Sequence, residues 1–471
     1  MAFTGVGGLS FGVEIELNFW FKNGTSPSHY HQDGAILSPE EDSMLPPALT
    51  HLRDETVWKA TWAGSLLKDA ILSVEGAKMK DEPMLSGKPD TLNWIRVVDV
   101  DGWTIKQDGS VVDDSRILEG YDYAPFEITS PALWDVPDSL NHVMEVLQAL
   151  TSRFRLRVNP DTGFHCHVGA GIKGLGEGGK KKHSLHVLKR AAALTWAADG
   201  FLCHAHPPER GINIWAGPIR QCSSLAHGVK APSNRWYPWP LNQPLSEDSA
   251  MSIHDMELLM QKSDDAGRRN FIRLHKELFP ALRPHQPDEE AQKRCDPGRR
   301  KYDDDPEPAN AIKTVSQGVS YIMNCTTRKQ VGGLLSPAPG QISTRLNYNF
   351  NKYRSGRDAR DTFTVEFREA AGSVDGIWIA YWANICLGIF RFARAASDKR
   401  FWAVTSNLSK AEAAAMANEP HSYDMISFLN DLGLFAEALY LERSLRRDQL
   451  GFCPICAGPR AKEPLFDGVP A

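Results

Sequence analysis

An excess of positive charge is what this chain most plainly lacks: 53 Lys and Arg stand against 58 Asp and Glu, a formal net charge of −5 at pH 7. That balance gives no long-range attraction to nucleic acid or to an anionic membrane surface, and neither is expected as a partner. No apolar run reaches the roughly 20 residues that a bilayer crossing needs. The most apolar stretch, Ile377-Trp-Ile-Ala-Tyr-Trp-Ala-Asn-Ile-Cys-Leu-Gly-Ile-Phe390, suits a buried helix instead. The opening Met1-Ala-Phe-Thr-Gly-Val-Gly-Gly has neither a basic segment nor a long apolar one, so no secretory signal is expected and the cytoplasm is the expected compartment. Of eight cysteines, only Cys453 and Cys456 have ligand-like spacing. One such pair falls short of the four ligands of a closed zinc site and reads as reduced thiols. Internal repeats are also absent. The Gly-rich Gly174-Leu-Gly-Glu-Gly-Gly-Lys-Lys181 fails as a phosphate-cradling loop, because Lys181 stands where a hydroxyl must reach Mg²⁺. Its composition and place between a strand and a helix suit a mobile surface loop or lid.

What remains is an ordinary globular composition, 42% apolar and 24% charged over 471 residues, enough for one large enzyme domain with insertions or for two or three average domains. The informative stretches are strands with unlike faces. In Phe11-Gly-Val-Glu-Ile-Glu-Leu-Asn-Phe-Trp20, Val13, Ile15, Leu17 and Phe19 alternate with Glu14, Glu16, Asn18 and Trp20. Glu14 and Glu16 then lie about 7 Å apart on one face, which calls for positive charge nearby. Ala124-Pro-Phe-Glu-Ile-Thr-Ser130 places Glu127 and Thr129 opposite Phe126 and Ile128. Thr162 to Gly169 places His165 and His167 opposite Cys166 and Val168. Thr364-Val-Glu-Phe-Arg-Glu369 pairs Glu366 with Arg368, and Arg345 to Asn351 sets Arg345, Asn347 and Asn349 against Leu346, Tyr348 and Phe350.

Between these strands the spacing predicts helices over Thr61–Lys80, Asp138–Arg153 with Asp138 as cap, His183–Cys203, Gly376–Ala395, Lys410–Asn418 and Ser422–Leu450, and one within Ser252–Phe279. A hairpin is expected through Asp101-Gly102, joining a strand from Trp94 to one from Trp103, with a second turn at Asp108-Gly-Ser110. Strands, hairpins and helices in this order predict an α+β fold, a mostly antiparallel sheet with helices on its apolar face.

The polar face collects the inventory for divalent metal and phosphate. Glu14, Glu16, Glu127 and Glu366 with an imidazole make a hard-oxygen site suited to two Mg²⁺ or Mn²⁺ ions better than to zinc. Paired cations neutralise nucleotide phosphates, and Arg345 and Arg368 would stabilise charge on a transferring phosphoryl group. Taken singly, the same residues also fit a solvated sheet face, hydrogen-bonded core histidines and a structural ion pair.

Four motifs together, Phe11-Gly-Val-Glu-Ile-Glu16, Glu127-Ile-Thr-Ser-Pro131, Gly163-Phe-His-Cys-His-Val-Gly169 and Thr364-Val-Glu-Phe-Arg368, resemble the signatures of the putative amidoligase family of carboxylate-amine ligases, related to glutamine synthetase and glutamate-cysteine ligase. The resemblance runs in order from about residue 11 to 395. It implies a curved half-barrel sheet of the glutamine-synthetase kind with helices on its convex face, and ATP and two metal ions on the concave one. By position Glu14, His165 and Glu366 match ligands of the nucleotide-side ion, and Glu16 and Glu127 ligands of the substrate-side ion. His167 matches a residue beside the ATP phosphates and Arg368 one that meets the reacting group, with Arg345 matched on less distinctive sequence. The implied activity is ATP-dependent amide formation through an acyl phosphate, from small-molecule or peptide carboxylates and amines.

The implied organisation is a catalytic domain over residues 1–400, with insertions near 22–60, 231–244 and 284–310, a helical extension over 401–450 and a peripheral tail over 451–471. A zinc hydrolase built on His165 and His167, a guanidino-kinase-like phosphotransferase and a non-catalytic relative are the competing readings.

Overall fold

The structure, a computed structural model, describes residues 8–23, 50–51, 59–79, 102–111, 121–159, 161–171, 182–206, 210, 214–228, 314–338, 345–355, 363–417, 419 and 421–448. The expected strand at Trp94, the Gly-rich loop, the three insertions, the helix within Ser252–Phe279 and the Cys453/Cys456 pair lie wholly or largely outside these residues. The chain divides into two units. One draws on Gly12–Phe164 and Ala371–Ala383, the other on His165–Ala370 and Asn384–Phe452 together with the chain up to Phe11.

The first unit is organised by β1 (Ser10–Asn23). Its Val13, Ile15, Leu17, Phe19 and Phe21 are buried to within 1% of complete, as the alternation requires. Elements β2 (Thr50–His51), α1 (Lys59–Leu72), β3 (Thr104–Gln107), β4 (Tyr121–Thr129), β5 (Leu133–Trp134), α2 (Pro137–Thr151) and β6 (Arg155–Arg157) follow. Antiparallel pairs join β1 to β4, β1 to β6 and β3 to β4, while Lys22–Asn23 pairs parallel with β2. Helix α1 covers the apolar side through Ala63, Leu67, Ala70 and Ile71, and its Trp62 meets Phe19 and Phe21 edge-on at 6.0 and 5.4 Å. Burying one such aromatic removes on the order of 150–250 Å² from water, which fixes the helix over this face.

Two helix boundaries differ from expectation. Helix α1 stops at Leu72, eight residues short of Lys80: the Ser73 hydroxyl takes the Ala70 carbonyl at 2.6 Å, and Gly76 adopts φ +77°, a conformation L side chains resist. Asp138 is not the cap of α2. Val136 occupies that position without a side-chain bond, Pro137 opens the helix, and Asp138 lies in the first turn, where its charge still favours the helix dipole.

The second unit contains β7 (Phe164–Gly169) from His165 onward, α3 (Leu185–Leu202), α4 (Ile219–Cys222), α5 (Val315–Met323), α6 (Arg328–Leu334), β8 (Tyr348–Asn349), α7 (Asn351–Ser355) and β9 (Thr364–Phe367). Strand β9 pairs antiparallel with both β7 and β8. Helix α3 starts at its cap Ser184, whose side chain accepts from Val187 N at 3.2 Å. It crosses α5 so closely that a Cβ on Gly318 would fall inside the Trp196 ring, while Trp196 Nε1 donates to the Val315 carbonyl at 3.2 Å.

Arg345 to Asn351 is not one strand. Asn347 Oδ1 accepts from Ile219 N and Tyr348 N, and Asn349 Oδ1 accepts from Asn351 N, starting α7. Side-chain bonds of this kind compete with a strand ladder, which leaves only Tyr348 and Asn349 extended.

Helix α8 (Gly376–Ala395) has the expected bounds. At 20 residues it is long and apolar enough to cross a membrane by length and composition, which corrects the shorter apolar run read from the sequence, and 67% of its apolar window is buried, as in a core helix. Arg190 closes its C-terminus, donating to the carbonyls of Ala393, Ala396 and Ser397 at 3.2, 2.8 and 3.1 Å. The chain continues as α9 (Asp398–Met416), α10 (Met425–Leu432) and α11 (Phe435–Asp448). Helix α9 begins twelve residues before Lys410 because Ser397 caps it. The single helix expected over Ser422–Leu450 is two, divided at Gly433 with φ +82°. The α+β class and mostly antiparallel pairing are thus present in the described residues.

Burial also builds a pH-sensitive element into this unit. His183 is 2% exposed, its Nε2 lies 3.3 Å from the Val168 carbonyl, and its ring lies 4.6 Å from Phe390. Desolvation pushes its pKa down from 6.5 to about 4. Between those values the unfolded chain binds a proton that the folded protein refuses, so stability is complete above about pH 6.5 and is lost as pH falls toward 4. The expected loss is about 3 kcal/mol at 1.36 kcal/mol per unit. Urea melts of wild type and His183→Gln at pH 7 and pH 5 measure it; an unchanged pH slope in the variant contradicts the assignment.

Candidate functional site

In the first unit the register of three strands builds a polar face. Glu14 lies opposite Thr129, Glu16 opposite Glu127 and Asn18 opposite Pro125, and Lys106 of β3 lies opposite Glu127 on its other side. Directly opposed residues share a face, so these side chains lie on the side away from α1. Asp108, just past β3, donates its N–H to the Pro125 carbonyl at 3.2 Å, one row along the face from Lys106.

Glu16, Asp108 and Glu127 converge there, each offering a carboxylate oxygen within 4.8 Å of the others. Glu16 is buried and the other two are half-buried. Each is held: Glu16 Oε2 accepts from Gly163 N at 2.6 Å, Asp108 Oδ1 from the N–H and hydroxyl of Ser110 at 2.8 and 2.7 Å, and Glu127 Oε1 from Lys106 Nζ and Thr129 Oγ1, both at 3.1 Å. Lys106, half-exposed, is the cation paired to the cluster among these contacts. Three carboxylates so close, with backbone and side-chain donors fixing their orientation, fit a hard divalent cation and offer zinc no nitrogen or sulfur.

Asp108 was read from the sequence only as a turn residue. The signal that could have found it is the alternation continued past Lys106, which returns the third residue of the Thr104, Lys106, Asp108 series to the same face.

In the second unit β7, β9 and β8 align His167, Glu366 and Asn349 in one row. Glu366 is the centre of the row. Its Oε2 accepts from Asn349 Nδ2 at 2.8 Å, its Oε1 accepts from Arg368 Nη1 at 2.5 Å, and His167 Nε2 lies 3.9 Å from Oε1. His167 is oriented by its other nitrogen, 3.2 Å from the Thr364 hydroxyl. Arg368 Nη1 also donates to His165 Nδ1 at 3.3 Å. A guanidinium only donates, so Nδ1 of His165, a ring 2% exposed, is the acceptor of that bond. Arg368 itself is 4% exposed and is held further by the Trp215 carbonyl at 3.2 Å from Nε. Arg345, by contrast, has an exposed side chain, and its carbonyl accepts from Gly217 N at 3.3 Å.

Behind Arg368 lies a buried acidic layer that the sequence reading did not isolate. Asn347 Nδ2 donates to Asp199 at 2.6 Å, the Asn347 carbonyl accepts from Arg368 N at 2.7 Å, and Tyr348 OH donates to Glu369. Arg210 reaches the carbonyls of Arg368 and Glu369. Burial pushes the Asp199 carboxyl up to about 6 and the Glu369 carboxyl well above the usual range. These groups fix the backbone that carries Arg368.

Comparison with known proteins finds a family model, described as Putative amidoligase enzyme, that matches residues 8–198. No curated protein and no solved structure matches the chain. The matched stretch contains Glu14, Glu16, Asp108, Glu127, His165 and His167 and ends before β8 and β9, so Glu366 and Arg368 stand on their geometry. Over residues 8–198 the chain is similar to the putative amidoligase family, as the motifs in that stretch are, and that similarity suggests an amide-bond-forming ligase at a coarse level.

Proposed function

We propose that this chain is an ATP- and Mg²⁺-dependent carboxylate-amine ligase that forms an amide through an acyl phosphate. The observation that carries the reading is the convergence of Glu16, Asp108 and Glu127 inside the family-matched stretch. Bound Mg²⁺ or Mn²⁺ would neutralise phosphate oxygens and polarise the transferring phosphoryl group. Glu16, Asp108 and Glu127 form one ligand set. Glu366 with an imidazole, His167 by its 3.9 Å approach or His165 by family position, forms another, and Glu14 is the further carboxylate assigned by the resemblance. Arg368, fixed by Glu366, His165 and Trp215, stabilises charge on the reacting group without reorganising during the step. Arg345, assigned beside the same group by the resemblance, is exposed.

The chemistry has two displacements. A substrate carboxylate oxygen attacks the γ-phosphorus of ATP and ADP leaves, giving an acyl phosphate. The amine nitrogen then attacks the acyl carbon, phosphate leaves, and the amine gives up a proton. Exclusion of water protects the mixed anhydride. The same proposal includes the glutamine-synthetase-like sheet that the resemblance implies, supported by the α+β class and antiparallel pairings.

Incubation with ATP, Mg²⁺ and a panel of acids and amines, followed by mass spectrometry, is expected to yield one ADP and one phosphate per amide, all abolished by EDTA. Tightly bound zinc with no ATP consumption would sink the ligase reading in favour of a hydrolase, and a phosphorylated guanidine product would favour a kinase.

A further inference from the structure

Arg368 is gripped at its main chain and at its guanidinium, and both grips lead to Asn347. The Arg368 N–H donates to the Asn347 carbonyl at 2.7 Å, and its Nε donates to the Trp215 carbonyl at 3.2 Å. The segment that carries Trp215 is itself tied to Asn347. Asn347 N donates to the Gly217 carbonyl at 2.9 Å, and Asn347 Oδ1 accepts from Ile219 N at 2.9 Å. One residue, 3% exposed, thus sets where the backbone of Arg368 lies and where the acceptor for its guanidinium lies.

The bond from Ile219 requires the Asn347 amide to face one way, oxygen toward α4, and Asp199 of α3 decides that. Its Oδ1 accepts from Asn347 Nδ2 at 2.6 Å and its Oδ2 from Arg220 N at 3.4 Å. An ionised carboxylate only accepts, so it keeps the amide nitrogen on its own side and leaves the oxygen for Ile219. Both Asp199 oxygens are used in this way, and a proton on either one weakens the hold on Asn347 or on the start of α4. Around Asp199 stand Arg220 of α4, Tyr348 of β8, Cys203 just past α3 and Glu369 just past β9; beside Glu369 are Cys386 of α8 and Arg210, with His206 against Arg210. Arg220 is shared with Glu412 of α9. Burial, and after it the Asp199 charge, push the Glu369 carboxyl well above the usual range; burial pushes Tyr348, Cys203 and Cys386 up and His206 down. Asp199, pushed up by burial to about 6, is the member of this group that changes charge between about pH 5 and 7.

We propose that Asp199 and Asn347 are positioning residues for the reaction: Asp199, as an acceptor, orients the Asn347 amide, and Asn347 holds Arg368 at both its main chain and its guanidinium. The proposal rests on the reading of Arg368 as the residue that meets the reacting group. Its consequence is a site that is set while Asp199 is ionised and slackens as Asp199 takes up a proton.

The test follows the isotope-labelled full chain, without added metal, by NMR between about pH 5 and 7.5, reading the Arg368 Nε–H and the Asn347 side-chain amide. Both signals are expected to move together with a midpoint near 6, in wild type and in His165→Gln, and to stop moving in Asp199→Asn. His165→Gln is the control because that ring also touches Arg368. In turnover, Asp199→Asn should lower kcat for amide formation about tenfold or more with KM for ATP unchanged, because Arg368 acts on charge that develops in the transition state. A merely structural role would lower the melting temperature and leave the pH step in place. Signals that stay fixed in wild type, movement of Arg368 without Asn347, or a step lost in His165→Gln overturns the proposal even if Asp199→Asn does not fold; so does a wild-type kcat in Asp199→Asn. The joint step in a chain that forms no ADP from any acid and amine would remove the ligase reading but keep the clamp. Amide formation by a chain whose Arg368 shows no step would do the reverse.

Discussion

Glu366→Gln is expected to cut ATP-dependent turnover by about 10³-fold or more while the chain remains folded. Glu366 receives Asn349 on one oxygen and Arg368 on the other, with His167 alongside. The amide is the same shape and still accepts from Arg368 through its carbonyl oxygen. What it loses is the negative charge, and with that the affinity for a hard cation and the counter-charge of a guanidinium only 4% exposed, together with the acceptor for Asn349 Nδ2. Breaking a buried pair outright costs about 3–5 kcal/mol; with the hydrogen bond kept, a loss of about 1–3 kcal/mol is expected. ADP release and a urea melt separate the two effects. Full turnover in the variant would contradict the assignment of Glu366 to the reaction.

Glu16→Gln should produce the opposite stability change with a comparable loss of function. Gln keeps an oxygen for Gly163 N, which Glu16 Oε2 accepts at 2.6 Å. It also removes one of three like charges whose oxygens lie within 4.8 Å. Without metal, repulsion falls, so the melting temperature in EDTA should hold or rise. With metal, a ligand is gone, so the Mg²⁺ concentration for half-maximal activity should rise about 100-fold or more. A variant that melts lower in EDTA and keeps the wild-type Mg²⁺ dependence would mean that Glu16 serves the fold alone. The contrast with Glu366 follows from the neighbours: Glu366 is paired with a buried cation, whereas Glu16 sits among acids.

Much of this was legible in the residue pattern, and the reasons for the rest are physical. The period-2 alternation of Val13 to Phe19 against Glu14 to Trp20 read correctly because one side of β1 is wholly buried, and the strands around Glu127, His165 and Glu366 read correctly for the same reason. The ends of helices were less legible. Gly433 and Gly76 act through backbone dihedrals, and Ser397 through a cap, none of which alters the hydrophobic period. Asn347 hid the true extent of β8 because its amide bonds locally and to Asp199 rather than lying open on the face of a strand. Asp199 and Glu369 were illegible as a site feature because carboxylates are ordinarily exposed, and only the fold shows them buried beneath Arg368. Asp108 was hidden by its own turn chemistry, the same bonds to Ser110 that orient it. The carboxylate cluster was therefore predicted as two residues and contains three.

Manganese binding followed by electron paramagnetic resonance, with ATP present, measures most directly whether the carboxylates of these strands hold the divalent ions proposed for phosphate chemistry. Two ions per chain are expected in wild type, and one fewer in each of Glu16→Gln and Glu366→Gln. No bound manganese, or a count unchanged in both variants, would contradict that proposal.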